Sequence, residues 1–285
     1  MFLQQLGRGL RKYPNKEYLT VVDFIGNYKR AHYIPKLLSG ENPLIESKRP
    51  RAFIDEMDLP EDCVANFDFK LIDLFEEMRR KDPLRERMKD EYYRLKNQLG
   101  RRPMRVDMYQ GSDIPIREYL KKGYLRFLYE LGELDEVEEA WINTIGEEFL
   151  MEVEKTSMSK SYKIPVLLSF IKDGVMVTDV SIEEVGKSFM DYYKNSKVHR
   201  KDFTDKKHVN WEEWDLYRYT REALQNPIKF LSRSKFFNHD EINKRFTIIE
   251  EVKPFVDSRF MSHYIDIIKY RELSYFSRRF KEDKE

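Results

Sequence analysis

The sequence predicts a mainly α fold with a minor β component, an α+β chain whose helices carry most of the core. Three observations predict it. Apolar residues recur at intervals of three and four over 67–78, 84–99 and 261–280, the spacing that lines one face of a helix. Only two regions read as strands: the apolar run 19–25, and Phe236-Phe237 with the run 246–249. The 285 residues are 41 % hydrophobic and 36 % charged, too apolar for a disordered chain, and eighteen apolar residues nowhere run together. The length suits about two domains of ordinary size. The lone Cys63 excludes an intrachain disulfide framework and a cysteine-rich zinc site. A soluble, cytoplasmic protein without a membrane partner is the expectation. Net charge is +1, so any affinity for nucleic acid has to come from local patches.

Residues 1–40 hold seven Lys/Arg and two acids. Gln4, Gly7, Arg8 and Arg11 form the pattern Q-x-x-G-R-x-x-R, which on a helix sets Gln4, Arg8 and Arg11 along one edge. Planar, permanently charged guanidiniums suit phosphoryl transfer, because they donate in parallel to phosphate oxygens. The run 19–25 (LTVVDFI) then reads as a buried strand ended by Gly26-Asn27.

Residues 2–28 resemble the sixth signature motif and following strand of superfamily-two helicases, most of all bacterial DEAD/DEAH-type helicases with a long appended domain of unknown function. The resemblance implies that Arg8 and Arg11 contact nucleotide, and that Gln4 couples nucleotide to nucleic acid. It implies that 1–40 is the C-terminal remnant of a RecA-like lobe, with ATP and Mg²⁺ bound in the intact parent. The expectation is a C-terminal piece of a longer helicase that needs no cofactor by itself and partners with DNA and the rest of the motor.

Residues 40–60 read as a linker, and 41–100 as a linker with a helical pair. The first helix ends near Asp82-Pro83 and the second spans 84–99, stopping at Gly100. Residues 101–155 read as a small helical module, weakly similar to DNA-binding repeats opened by "LGR-P-T"; Met104 stands where those have threonine. Residues 101–126 carry seven Lys/Arg against three acids, which nominates Arg101, Arg102, Arg105, Lys121 and Lys122 for phosphate contact. Residues 127–155 reverse the sign, with ten acids and one lysine, as a helix with one acidic face that shields the protein from nucleic acid or docks on a basic neighbour.

Residues 156–285 read as a helical C-terminal domain with a winged helix-turn-helix as one reading. The run KTSMSKSYKIPVLL at 155–168 resembles a block of the same appended domain and contributes Lys160 and Lys163 as nucleic-acid candidates. An apolar helix over 166–171, a cap at Asp179 or Ser181, a helix over 182–193 and a Trp-rich helix over 211–224 follow. Between the last two lie Lys197, Arg200 and Lys201, further candidates. Strands at 236–237 and 246–249 would make a wing. A helix over 261–280 closes the chain, with Arg271, Arg278 and Arg279 outward.

Other constellations are weaker. Gly186-Lys187-Ser188 imitates the end of a phosphate loop, but Ser181 stands where its first glycine belongs. Asp240 with Glu251-Val252-Lys253 imitates a metal-dependent nuclease, although Pro254 breaks the strand. The five histidines lack metal-ligand spacing. Trp211, Trp214 and Tyr217 suit either base stacking or a core stripe. The leading expectation is an accessory nucleic-acid-binding segment of a helicase; a protein-interaction module and a nuclease domain are the alternatives.

Overall fold

The computed structural model describes residues 8, 11, 19–21, 83–203, 208 and 210–282, with side chains through residue 279. Gln4, the linker 40–60 and the helix expected over 67–82 lie outside the described residues. Leu19, Thr20 and Val21, the described part of the expected first strand, are exposed and form no strand. The chain divides into two units, Met1–Arg94 and Leu95–Glu285. Helix α1 (Leu84–Leu99) crosses the boundary. Pro83 precedes it, where a missing N–H leaves nothing unpaired, and Gly100 ends it at φ 66, the left-handed conformation that glycine adopts without a Cβ clash.

The second unit is mainly helical. It continues with α2 (Arg105–Gly111), α3 (Ile116–Tyr119), α4 (Tyr124–Leu131), α5 (Glu136–Glu139), α6 (Ile145–Lys155) and α7 (Lys163–Leu168). A hairpin of β1 (Ile171–Lys172) and β2 (Val175–Met176) leads to β3 (Asp179–Ser181), α8 (Ile182–Lys194), α9 (Leu216–Ala223) and α10 (Lys229–Leu231). Strands β4 (Phe237–Asp240) and β5 (Arg245–Ile248) and the long helix α11 (Ser258–Glu282) complete it. The segments 101–155 and 156–285 both lie in this unit and share its core.

Small polar residues start the helices. Asp135, Thr144, Ser181 and Asp215 each accept a first-turn N–H of α5, α6, α8 and α9, which satisfies groups the helix itself leaves unpaired. Glu184 completes a capping box at Ser181. The Lys172 ammonium and the Ser181 backbone N–H lower its pKa to about 2.

The acidic stretch 127–155 is not one helix but the end of α4, then α5 and α6, interrupted where Gly132 takes φ 70 and Asn143 φ 62. The helix expected over 166–171 starts earlier, at Lys163, and ends at Leu168, so that Ile171 begins the hairpin. Asp173 and Gly174 turn that hairpin at φ 49 and 77, the positive values a two-residue turn requires. In the three-stranded antiparallel sheet the order is β3-β5-β4, with Val180 opposite Phe246 and Phe237 opposite Ile248. The rings of Phe237 and Phe246 stack at 5.7 Å and face Phe170.

Helix α11 is the shared wall of the core. It buries Phe260, Tyr264, Ile267 and Ile268, and Phe149 of α6 packs against Phe260 and Tyr264 while touching Phe236 and Phe237. Arg271, expected on the outer face, instead donates to the Thr156 carbonyl, and burial lowers its pKa.

Beside this apolar core runs a buried polar chain. The Arg105 side chain is 1 % exposed. Its Nε donates to Glu154 Oε2 at 2.5 Å and its Nη1 to Asp266 Oδ2 at 3.2 Å. His263 Nδ1 lies 3.3 Å from the same Nη1, and His263 Nε2 lies 2.9 Å from Glu138 Oε1. One neutral tautomer fits both contacts: Nε2–H donates to Glu138, and Nδ1 accepts from Arg105. Protonation of Nδ1 would set two donors against each other. Burial holds the His263 pKa below its ordinary value, although Glu138 pulls the other way and Arg105 reinforces the lowering. Burial opposes ionisation of Glu138, but the Arg102 guanidinium and His263 hold its carboxyl far below the ordinary carboxylate range.

The folded protein therefore keeps His263 neutral at a pH where the unfolded chain takes up a proton, near 6.5. Stability from this group is present above that pH and declines as pH falls below it, by at most about 1.4 kcal/mol per pH unit, until the folded group protonates. Urea unfolding at pH 7 and pH 5 checks this: His263→Gln, whose amide donates without titrating, loses less stability over the interval than wild type. Equal losses would contradict the assignment.

Candidate nucleic-acid interface

Helices α8 and α9 pack closely because Gly186 lies where they cross. A Cβ built there comes within 1.9 Å of Thr220 Oγ1 and 3.0 Å of Thr220 Cα. This explains Gly186-Lys187-Ser188: the glycine lets a helix approach, and the tripeptide lies inside α8, away from any phosphate loop.

From Leu216 to Leu231 the chain stays helical, passing from α9 through a π turn, Leu224–Ile228, into α10. Pro227 sits in that turn and has no N–H to return to the preceding turn, which favours the widened ring. Tyr219, Ala223, Pro227, Ile228 and Leu231 face the core. Arg218, Arg221 and Gln225, at intervals of three and four, are exposed, and Tyr217 beside them is 73 % exposed. These four residues line a shallow cavity of about 450 Å³ with Trp214, Asp215 and Glu222. The Arg218 guanidinium rests 4.5 Å over the buried Trp214 ring, which positions it without neutralising it. Over 216–235 there are five Lys/Arg and one acid, Glu222, and Glu222 is 3.4 Å from His208 Nε2. Arg221 and Lys229 have no ion pair among the described residues. Beyond the sheet, the β4–β5 loop raises Ile242, 92 % exposed, into solvent, with Lys244 beside it at φ 51.

Most of the candidates at 101–126 are engaged within the fold. Arg105 is buried as described, so it has no surface for phosphate. Arg102 forks onto Glu138 at 2.5 and 2.6 Å and reaches the Glu133 carbonyl. Arg101 forks onto Asp107 at 2.7 Å, and Arg126 onto Glu147. Lys121 and Lys122 are exposed, near Glu118 and Glu130. The acidic stretch thus docks on its basic neighbour.

Among the later candidates, Lys160 donates to the Asp202 carbonyl and Lys163 to Thr156 Oγ1. Arg200 donates to the Lys194 carbonyl and covers Trp211. Lys201 is half-buried in the 3-10 turn His199–Phe203, and Lys197 is exposed. Arg8 and Arg11 are exposed. Sequence reasoning missed Arg218, Arg221, Gln225 and Arg233, although one acid among five cations on an amphipathic helix is a readable signal.

The nuclease layout dissolves. Asp240 closes the β4–β5 loop by accepting from the Ile242 and Asn243 backbone N–H groups and from the Asn243 amide. Glu251 sits on a 3-10 turn, Glu250–Phe255, after the strand has ended. No group of three or more His, Cys, Asp or Glu among the described residues could hold a metal ion, and none of their helices is long and apolar enough to cross a membrane. The chain matches no family model, no curated protein and no solved structure.

The helix crossing makes a direct prediction. Gly186→Ala forces a methyl into Thr220 and destabilises the protein by about 1–3 kcal/mol, as overpacked cores do. Chemical denaturation reads this, and an unchanged midpoint would show that α8 and α9 separate freely.

Proposed function

We propose that residues 163–248 form a winged helix-turn-helix that binds duplex DNA, and that it serves as the accessory region of an ATP-dependent helicase of superfamily two. The order of elements carries the reading: helix α7, strand β3, helices α8 and α9, then the β4–β5 hairpin, with β5 between β3 and β4. In such modules the second helix of the pair lies in the major groove and the hairpin loop touches the backbone alongside. Arg218, Arg221 and Gln225 are the residue types that read guanine and adenine edges there, and Lys229 and Lys244 suit phosphate. The motor assignment rests on the resemblance of residues 2–28, where Arg8 and Arg11 would meet nucleotide held with Mg²⁺ by the rest of the motor. A scaffolding role draws less support, because Glu133, Glu138, Glu147 and Glu154 of the acidic stretch are bound internally.

Fluorescence anisotropy with a labelled blunt duplex at several salt concentrations tests the reading. Replacing Arg218 and Arg221 together by glutamate lowers affinity at least about tenfold, and replacing Lys229 and Lys244 together by alanine flattens the salt dependence by about two phosphate contacts, whereas Arg101→Ala leaves both unchanged. Wild-type protein that ignores the duplex even at low salt would end the proposal.

A further inference from the structure

A second surface lies on the far half of the same helix. Two adjoining cavities of about 380 and 650 Å³ run between the loop 156–162 and the stretch 226–236, sharing Ser157, Lys163 and Phe230. Both fall in the size range of ligand clefts. Phe230 is 45 % exposed at their junction, an unusual place for a large apolar side chain. The Arg233 guanidinium lies over one face of its ring, 4.4 Å from the centroid, which sets a positive charge against that face and leaves stacking to the other.

The remaining lining is cationic and rich in hydroxyls. Lys155, Lys163, Arg233 and Lys235 border the larger cavity, with Ser157 and Ser234. Glu152 also borders it, and Glu148 binds Lys235. Lys155 donates to the Lys121 carbonyl, a neutral partner. Among the described residues Lys163 donates to the Thr156 hydroxyl, while Arg271 takes the Thr156 carbonyl, so two half-buried cations are anchored on one loop residue. Burial and Arg271 lower the Lys163 pKa against the pull of Glu152. An anion brought to this spot relieves a repulsion that the fold leaves in place.

We infer that this groove holds a single strand of nucleic acid, with one base stacked on Phe230 and its phosphates between Lys163 and Arg233. A ring with a flanking guanidinium in a basic channel is the stacking platform by which proteins hold unpaired strands without reading their sequence. A duplex cannot use it, because its bases are already stacked. The inference extends the proposed nucleic-acid role but does not rest on duplex binding by α9.

The full chain is titrated with three labelled DNAs: a blunt duplex, the same duplex with a twelve-nucleotide single-stranded tail, and a twelve-nucleotide oligothymidylate. Wild type is expected to bind the tailed duplex more tightly than the blunt one. Phe230→Ala weakens binding of the tailed DNA and of the oligonucleotide about tenfold and leaves the blunt duplex unaffected, while Phe230→Trp restores both. A 2-aminopurine base in the tail changes its emission on binding to wild type but not to Phe230→Ala. The groove assignment is overturned if a tail adds nothing, or if Phe230→Ala weakens blunt duplex and tail equally. Duplex binding that survives with no tail effect would sink this inference and leave the α9 reading standing. Tail binding sensitive to Phe230 without duplex binding would do the reverse.

Discussion

The second unit is organised around one buried cation. Arg105 sits at the start of α2 with its guanidinium out of water, and such a charge is tolerated only where partners fill its donor positions. Those partners come from distant segments: Glu154 at the end of α6, His263 and Asp266 in the first half of α11. Asp266 also accepts the Arg105 and Val106 backbone N–H groups, so it caps α2 and pairs with its first side chain together. Glu154 accepts the Tyr124 N–H at the start of α4. A slip of α11 by one turn would take Asp266 and His263 away from Arg105 and His263 away from Glu138 at once. The apolar contacts of Phe149, Phe260 and Tyr264 supply burial, but they would tolerate small shifts that the charges do not.

This constraint also decides which basic residues reach solvent. Residues 101–126 and 127–155 are oppositely charged neighbours in sequence, and the fold folds one onto the other: Arg102 meets Glu138, Arg126 meets Glu147, and Arg105 meets Glu154. A positive run therefore became an internal fastening rather than a surface for phosphate. A count of charges along the chain cannot distinguish these outcomes, because the partners are 21 to 49 residues apart. The exported charge lies in α9 and beyond, where a single glutamate accompanies five cations.

Legibility in the sequence followed the length of each element. The helix expected over 84–99 occupies Leu84–Leu99, and Ser181 caps α8, because sixteen periodic residues and a Ser-x-x-Glu box are strong local signals. Strand β3 is three residues long and the β1–β2 hairpin has two residues per strand, too short for alternation to register. Asp173-Gly174 was the available cue for that hairpin. The stripe of Trp211, Trp214 and Tyr217 divides, with Trp214 buried and Tyr217 in solvent, because a 3-10 turn precedes α9 and breaks the helical phase that spacing assumes. Reading those aromatics as one stripe hid Arg218 and Arg221, which follow them.

The π turn links the two candidate surfaces. An uninterrupted helix advances about 100° per residue, and one extra residue in a widened turn rotates everything after it by about that angle. Arg218 and Arg221 ahead of the turn and Gln225 within it share one cavity; after the turn, Phe230 and Arg233 belong to another, which Lys163 also lines. Pro227 thus permits one stretch of chain to present a row of polar side chains in one direction and an arginine-backed ring in a second. The Gly186 contact fixes the first half against α8, so the rotation is expressed in the second half. A regular helix here would carry residues 230 and 233 away from the 156–162 loop and leave Lys163 without a neighbour across the groove.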